Sequence, residues 1–178
     1  GERDILEREK LGGLRPSAYI LSKMAFLGVF MLAQALWMGL FVELVCPGIP
    51  GDLLTRLVLL VMASAAMTTV CLGISALMRS PEKATILCIY LVGFQLPLSG
   101  AVLALPKRFE PLIQPFIAAF WSWSGSLHTV LNTGFSEAVK AVTSTSLKAP
   151  SLAFFFLSLH VVVGLVAAYA GAKRSQWD

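Results

Sequence analysis

The sequence predicts an all-α membrane protein: four transmembrane helices preceded by a cytoplasmic amphipathic helix, with short re-entrant helices in the outer loop. Three observations carry this prediction. Hydrophobic residues make up 57% of the 178 residues and charged residues 13%, a balance foreign to water-soluble domains. Segments 20–45, 53–78, 84–105 and 151–171 each supply the roughly 20 apolar residues that cross about 30 Å of hydrocarbon. Capped or breaker-rich junctions separate them. Lipid offers no water to satisfy backbone groups, so every spanning segment must be helical.

Residues 1–16 form the first element. Arg3 with Glu7, and Asp4 with Arg8, stand four apart with opposite sign, the spacing of helix-supporting ion pairs. Ile5, Leu6 and Leu11 give that helix a narrow apolar edge, and Gly12-Gly13 closes it. A helix so charged cannot cross lipid. It lies at the membrane surface and offers itself to a partner.

The junctions follow in order. Cys46-Pro47-Gly48-Ile49-Pro50-Gly51 is a tight turn, after which Asp52 N-caps the second span. Glu43 and Arg56 flank this turn and can pair across it, a contact worth up to about 1 kcal/mol. Ser80-Pro81-Glu82 opens the third span with a hydroxyl cap, a proline in the first turn and an acid on the helix dipole. Pro150-Ser151 opens the fourth.

Basic residues set the orientation. With the N-terminus cytoplasmic, Arg3, Arg8, Lys10, Arg15, Lys23, Arg79, Lys83, Lys173 and Arg174 lie inside, and Arg56, Lys107, Arg108, Lys140 and Lys148 outside, the last four in a long loop that counts weakly. Both termini are then cytoplasmic in a multi-pass protein of the plasma membrane. The formal charge of +4 belongs to this anchoring, and a nucleic-acid partner is not expected.

Segment 106–150 is read as outer re-entrant helices and loop. Stretch 111–131 is apolar enough to tempt a fifth span, but Pro115, Gly125, His128 and the alternation of Ser122, Ser124 and Ser126 make it a poor one. Trp121 and Trp123 suit the membrane interface. The reading is short helices dipping into the outer leaflet, with a crossing as the alternative.

Motifs of soluble enzymes are absent. The chain holds no GxxxxGK phosphate loop and no His/Cys spacing fit for a metal, so neither a catalytic nor a metal site is expected. Cys46, Cys71 and Cys88 are scattered and odd in number, which suggests no disulfide framework. The opening helix has no span before it, so the chain is expected to be the C-terminal part of a longer polypeptide.

Glu2-Arg3, Ile5, Glu9, Gly13, Tyr19 and Lys23, in that order and spacing, resemble the first intracellular loop of ABC-2 type exporters, most of all the G subfamily of ABC transporters. There the pattern leads from a cytoplasmic coupling helix into the third of six spans. Gln95-Leu96-Pro97-Leu98-Ser99-Gly100 resembles the Ser-Gly signature near the outer end of the fifth span, and Asn132 to Phe135 resembles the Asn-Glu-Phe ending of the re-entrant helices, without its glutamate. The resemblance implies a permease that acts as a homodimer or pseudo-dimer in the lipid bilayer. A nucleotide-binding domain, upstream or on a separate subunit, would bind ATP and Mg, leaving no cofactor in this chain. It implies that Glu2, Arg3, Glu9 and Tyr19 couple to that ATPase domain, and that the outer part of the third span here lines the central cavity. The departures from the family's pattern suggest a prokaryotic member.

Each candidate has a plain structural alternative. Glu9 is a coupling acid or one more solvated charge. Gly93, Leu96 and Gly100 recur on one helical face, and Pro97 frees the Gly93 carbonyl and should kink the span, so these four line a substrate cavity or make a glycine-mediated helix contact. Ser64, Thr68, Cys71 and Ser75 form a small polar stripe that packs against another helix or lines a substrate path, and Gly164 and Ala168 form a small-xxx-small pair suited to packing. His160, an ionisable group inside the fourth span, is a proton relay or a neutral imidazole bonded to a neighbouring helix.

The expected function is the membrane part of an ATP-driven exporter of an apolar or amphipathic substrate. The alternative is an energy-independent transporter or membrane scaffold without an ATPase partner. A Walker A loop in the same polypeptide or operon separates the two.

Overall fold

The computed structural model describes residues 12–13, 15–102, 108–131, 134, 136–143 and 145–173, with the backbone alone at 138, 140 and 142. Every regular element among them is helical. They are α1 (Pro16–Val45), α2 (Leu53–Leu77), α3 (Pro81–Gln95), α4 (Glu110–Ile113), α5 (Ala118–His128), α6 (Ser136–Val142) and α7 (Pro150–Lys173), with 3₁₀ turns at Pro97–Ser99 and Gln114–Phe116. The opening amphipathic helix expected over 1–16 falls mostly outside the described residues.

Among the described residues, three helices are long and apolar enough to cross a membrane: α1 with 30 residues, α2 with 25 and α7 with 24. Their starts follow local chemistry. Pro16 sits in the first turn of α1, where its missing N–H has no partner to lose. The Asp52 carboxylate accepts the N–H groups of Leu54 at 3.3 Å and Thr55 at 3.0 Å, two of the donors that a helix start leaves unpaired. The Thr55 hydroxyl also donates to it. Gly48 and Gly51 take φ of +86° and +111°, a left-handed region that lets the α1–α2 turn close. Arg56 Nη2 then reaches back to Glu43 Oε2 at 3.1 Å and to the Ile49 carbonyl at 3.4 Å, locking the turn.

The third expected span, 84–105, is not one helix. α3 begins as expected, with Ser80 Oγ accepting the Lys83 N–H at 3.4 Å, but it stops at Gln95 after 15 residues, about 22 Å. Pro97 has no N–H to give the Gly93 carbonyl, and the chain leaves the helix instead of bending within it. A 3₁₀ turn follows, in which Ser99 Oγ donates to the Leu96 carbonyl at 2.7 Å and accepts the Ala101 N–H at 3.2 Å. Gly100, at φ +82°, completes the reversal.

Packing fixes how the long helices run. Leu59 of α2 and Ala153 of α7 both close on Gly125 of α5. Further along, Gly164 faces Thr69, Ala167 faces Gly73 and Gly171 faces Ala76. Contacts that advance together along both helices mean that α2 and α7 are parallel. α1 returns antiparallel through the short turn, with Gly39 against Leu57. Val45, Leu53 and Pro150 therefore share one end of the bundle, and Pro16, Leu77 and Lys173 share the other. Lipid tails are as apolar as leucine, so the hydrophobic effect contributes little between spanning helices. Small residues and close backbones supply the attraction instead.

Segment 108–131 forms a V within this frame. Ser146, near the start of α7, donates to Glu110 Oε1 at 3.0 Å, which holds α4 at the Pro150 end. The chain descends through Gln114–Phe116, reverses near Ile117, and α5 climbs back until Thr129 lies against Gly51. α5 has 11 residues, too few to cross. Its Phe120 and Trp121 join Leu59, Ala66, Ala153 and Leu157 in the buried core. Trp121, expected at an interface, is buried at 4% exposure with its ring stacked on Phe156 at 4.0 Å and 10°.

Candidate functional site

The bottom of that V meets the end of α3. Ile117, the residue capping α5, has no side-chain hydrogen bond to the first turn. Gln95 provides it from another helix: its Oε1 accepts the Ala119 N–H at 3.1 Å. Helix starts need such acceptors, and a buried amide that fills one is well spent. Gln95 is 7% exposed.

A cavity of about 320 Å³ opens beside this junction, between α1, α2, α3 and α5. Met31 and Met67 form flexible walls, with Val92 closing one side. Gln34, Ser64, Thr68 and Gln95 supply its polar lining. None of its lining residues carries a charge. Gln34 and Ser64 are equally distant in sequence from the α1–α2 turn, so they face the cavity from one depth. Among the described residues, neither Ser64 Oγ nor Thr68 Oγ1 has a hydrogen-bond partner, whereas Thr69 next to them donates to the Ala65 and Ala66 carbonyls at 2.9 Å each.

The sequence-derived candidates lie elsewhere. Glu2, Arg3 and Glu9 are outside the described residues. Tyr19 opens α1, with Lys23 Nζ 5.8 Å from its ring centroid. Gly93 and Leu96 are not among the cavity's lining residues: nothing lies within 4 Å of a Cβ added to Gly93, and Leu96, just past the end of α3, is 64% exposed. Pro97 and Gly100 belong to the turn that ends the helix, where Thr145 Oγ1 reaches the Gly100 carbonyl at 3.5 Å. None of these four lines this cavity. His160 contacts its own helix, its Nδ1 lying 2.7 Å from the Phe156 carbonyl. The expected partner on a neighbouring helix is replaced by one turn of α7.

The polar stripe on α2 divides. Ser64 and Thr68 face the cavity, Cys71 takes the Cys88 thiol of α3 at 3.8 Å through its carbonyl, and Ser75 is exposed. Close packing on α7 uses the adjacent stripe of Ala66, Thr69, Gly73 and Ala76. Gly164 and Ala168 pack as expected, with Ala168 1% exposed. Gln34 and Gln95 are the cavity residues that sequence reasoning passed over as individuals. The available signal was an uncharged amide in the middle of an apolar run, which hydrocarbon tolerates poorly unless the group has work to do.

No group of three or more His, Cys, Asp or Glu side chains fit for a metal occurs among the described residues. No curated protein and no solved structure matches the chain. The family described as ABC-2 type transporter matches residues 1–121, from the opening charge cluster through α3 into the first turns of α5. A run of apolar helices with this match over more than half its length marks the membrane domain of a multi-pass transporter, and the chain belongs to the ABC-2 type transporter family.

Proposed function

We propose that this chain is the permease part of an ATP-driven exporter that moves an apolar or amphipathic substrate across the cytoplasmic membrane. ATP and Mg would bind a nucleotide-binding domain outside the chain. The observation that carries the proposal, beyond family membership, is the shared end of the bundle. Pro16, Leu77 and Lys173 meet there, and Arg15, Lys23, Arg79, Lys83 and Lys173 cluster at the same end. Basic residues mark the cytoplasmic side, so both ends of the chain would face the ATPase. The N-terminal charge cluster, entering α1 through Tyr19, would then be where force arrives.

In this mechanism closure of two nucleotide-binding domains pushes on Glu2, Arg3 and Glu9, and α1 carries the displacement into the bundle as a rigid rod. Gly93 and Leu96, open on the outer face of α3, would meet a second copy or a pseudo-symmetric partner across a central cavity, as in the G subfamily, with Pro97 and Gly100 closing its outer end. His160, bonded within α7, is assigned a structural role.

The test is transport and ATP hydrolysis measured together in proteoliposomes of the complete transporter. Glu9→Ala should lower transport per ATP hydrolysed while substrate binding persists. Losing one partner of a charged hydrogen bond costs about 1.5–3 kcal/mol, a weakening of roughly tenfold to a hundredfold in that contact. Normal stoichiometry in Glu9→Ala would remove the coupling role, and transport independent of ATP would remove the exporter reading.

A further inference from the structure

We infer that the cavity between α1, α2, α3 and α5 is a binding site, contained within a single copy of the chain, for an amphipathic molecule whose head group is uncharged and forms hydrogen bonds. The inference rests on the reading of this chain as a transporter domain and narrows the substrate class. Three observations support it.

The first is unmet polarity. Ser64 and Thr68 have hydroxyls without partners among the described residues, and both line the cavity. Gln34 brings a further amide, and Gln95, its carbonyl oxygen already occupied by the Ala119 N–H, has its NH₂ left to donate. Polar groups left unsatisfied within hydrocarbon are costly. Gln34 is exposed and none of the four is closed off from this space, so all four can bond a ligand that enters it.

The second is neutrality. Hydroxyls and amides both donate and accept, but none of the lining side chains can balance a full charge. A charged head would lose its hydration without finding a counter-ion, a loss much larger than that of a neutral group. A hydroxyl- or amide-bearing head exchanges its water for Ser64, Thr68, Gln34 and Gln95 on nearly even terms.

The third is size and setting. A volume of about 320 Å³ lies at the small end of ligand pockets, which span roughly 300–1,000 Å³. It accepts a single compact head. The methionines at its wall adapt to varied shapes, and the apolar outer face of α1, with Phe30 at 61% exposure, continues from it as a track for an alkyl tail.

The experiment uses the complete transporter in lipid nanodiscs without nucleotide, so that binding is read independently of ATP coupling. Three photoreactive probes share one octyl chain with a diazirine next to the head. The heads are glucose, trimethylammonium and sulfate. The glucoside probe should label peptides containing Met31, Met67 or Val92 saturably, and excess unlabelled octyl glucoside should displace it. The charged probes should give only the unsaturable labelling of lipid partitioning. The combined variant Ser64→Ala with Thr68→Val, which removes both hydroxyls without adding bulk and is checked by its elution as a folded protein, should weaken glucoside labelling about tenfold. Absence of saturable labelling at these residues, equal labelling by a charged probe, or an unchanged affinity in the double variant would each overturn the inference. Saturable binding in a protein that proves not to be ATP-driven would sink the exporter reading and leave the site standing.

Discussion

Gly164 lies directly on the backbone of Thr69: a Cβ added to it would stand 2.5 Å from the Thr69 carbonyl carbon and 2.7 Å from the oxygen. The contact is backbone to backbone, so no flexible side chain can move aside. It holds α7 close against the backbone of α2, and Gly171 against Ala76 repeats it two turns on.

Gly164→Ala should therefore separate α2 from α7 and destabilise the domain by about 1–3 kcal/mol, with Gly164→Leu worse. Gly28, where nothing lies within 4 Å, is the control: Gly28→Ala should cost nothing, since alanine favours the helix. Thermal melting followed by fluorescence-detected size exclusion compares the two. Equal melting temperatures would refute the packing role.

Trp121 stacks on Phe156 and keeps its indole N–H buried with no acceptor among the described residues. The ring supplies packing while the N–H is a liability of about 1–3 kcal/mol. Trp121→Phe should leave stability unchanged or raise it, whereas Trp121→Ala should cost about 3–5 kcal/mol. A strongly destabilised Trp121→Phe would mean that the indole nitrogen holds a bond.

The Asp52 cap is pH-sensitive. The Thr55 hydroxyl first, then the Thr55 and Leu54 N–H groups and the nearby Arg56, hold its carboxyl below the ordinary aspartate value. A folded-state value lower than the unfolded one favours the folded form above the unfolded value, and that gain disappears as pH falls through the folded value. Hydrogen exchange at the Leu54 and Thr55 amides should accelerate relative to neighbouring amides only in that acidic window. Asp52→Asn retains a capping oxygen without titrating, so it should abolish the effect. The same acid response in Asp52→Asn would place its origin elsewhere.

Parallel α2 and α7 make a topological prediction that native chemistry can read. Cys46 is exposed in the α1–α2 turn, at the end of the bundle shared with Pro150. With Cys71 and Cys88 replaced by serine, an impermeant maleimide should label Cys46 and Ser146→Cys from the same side. Lys173→Cys and Glu82→Cys should label only from the opposite side. Lys173→Cys and Cys46 reacting from one side would mean that the helices are not parallel in the membrane.

Much of this fold was legible residue by residue. Asp52, Ser80 and Pro150 announce their helix starts because caps act within a few residues, and the Glu43–Arg56 pair follows from a turn short enough to bring two residues together. The length of the third helix was not legible in the same way. Pro97 could bend a helix or end one, and only its surroundings decide: Ser99 bonding its own turn, and Gln95 already committed to α5. Sequence reasoning left Ser64 and Thr68 between a packing face and a substrate path, because spacing shows which residues share a stripe, not which neighbour meets it.

The sequence by itself determined the class of the protein, its apolar segments and the chemistry of its junctions, because composition and local hydrogen bonding are properties of short stretches of chain. Only the tertiary structure decided that α2 and α7 approach backbone to backbone, that α5 begins beside Gln95, and that four neutral polar side chains from three helices line one cavity. Those relationships depend on how closely backbones approach, and that distance is set jointly by residues such as Thr69 and Gly164, far apart in the chain and in contact only when it is folded.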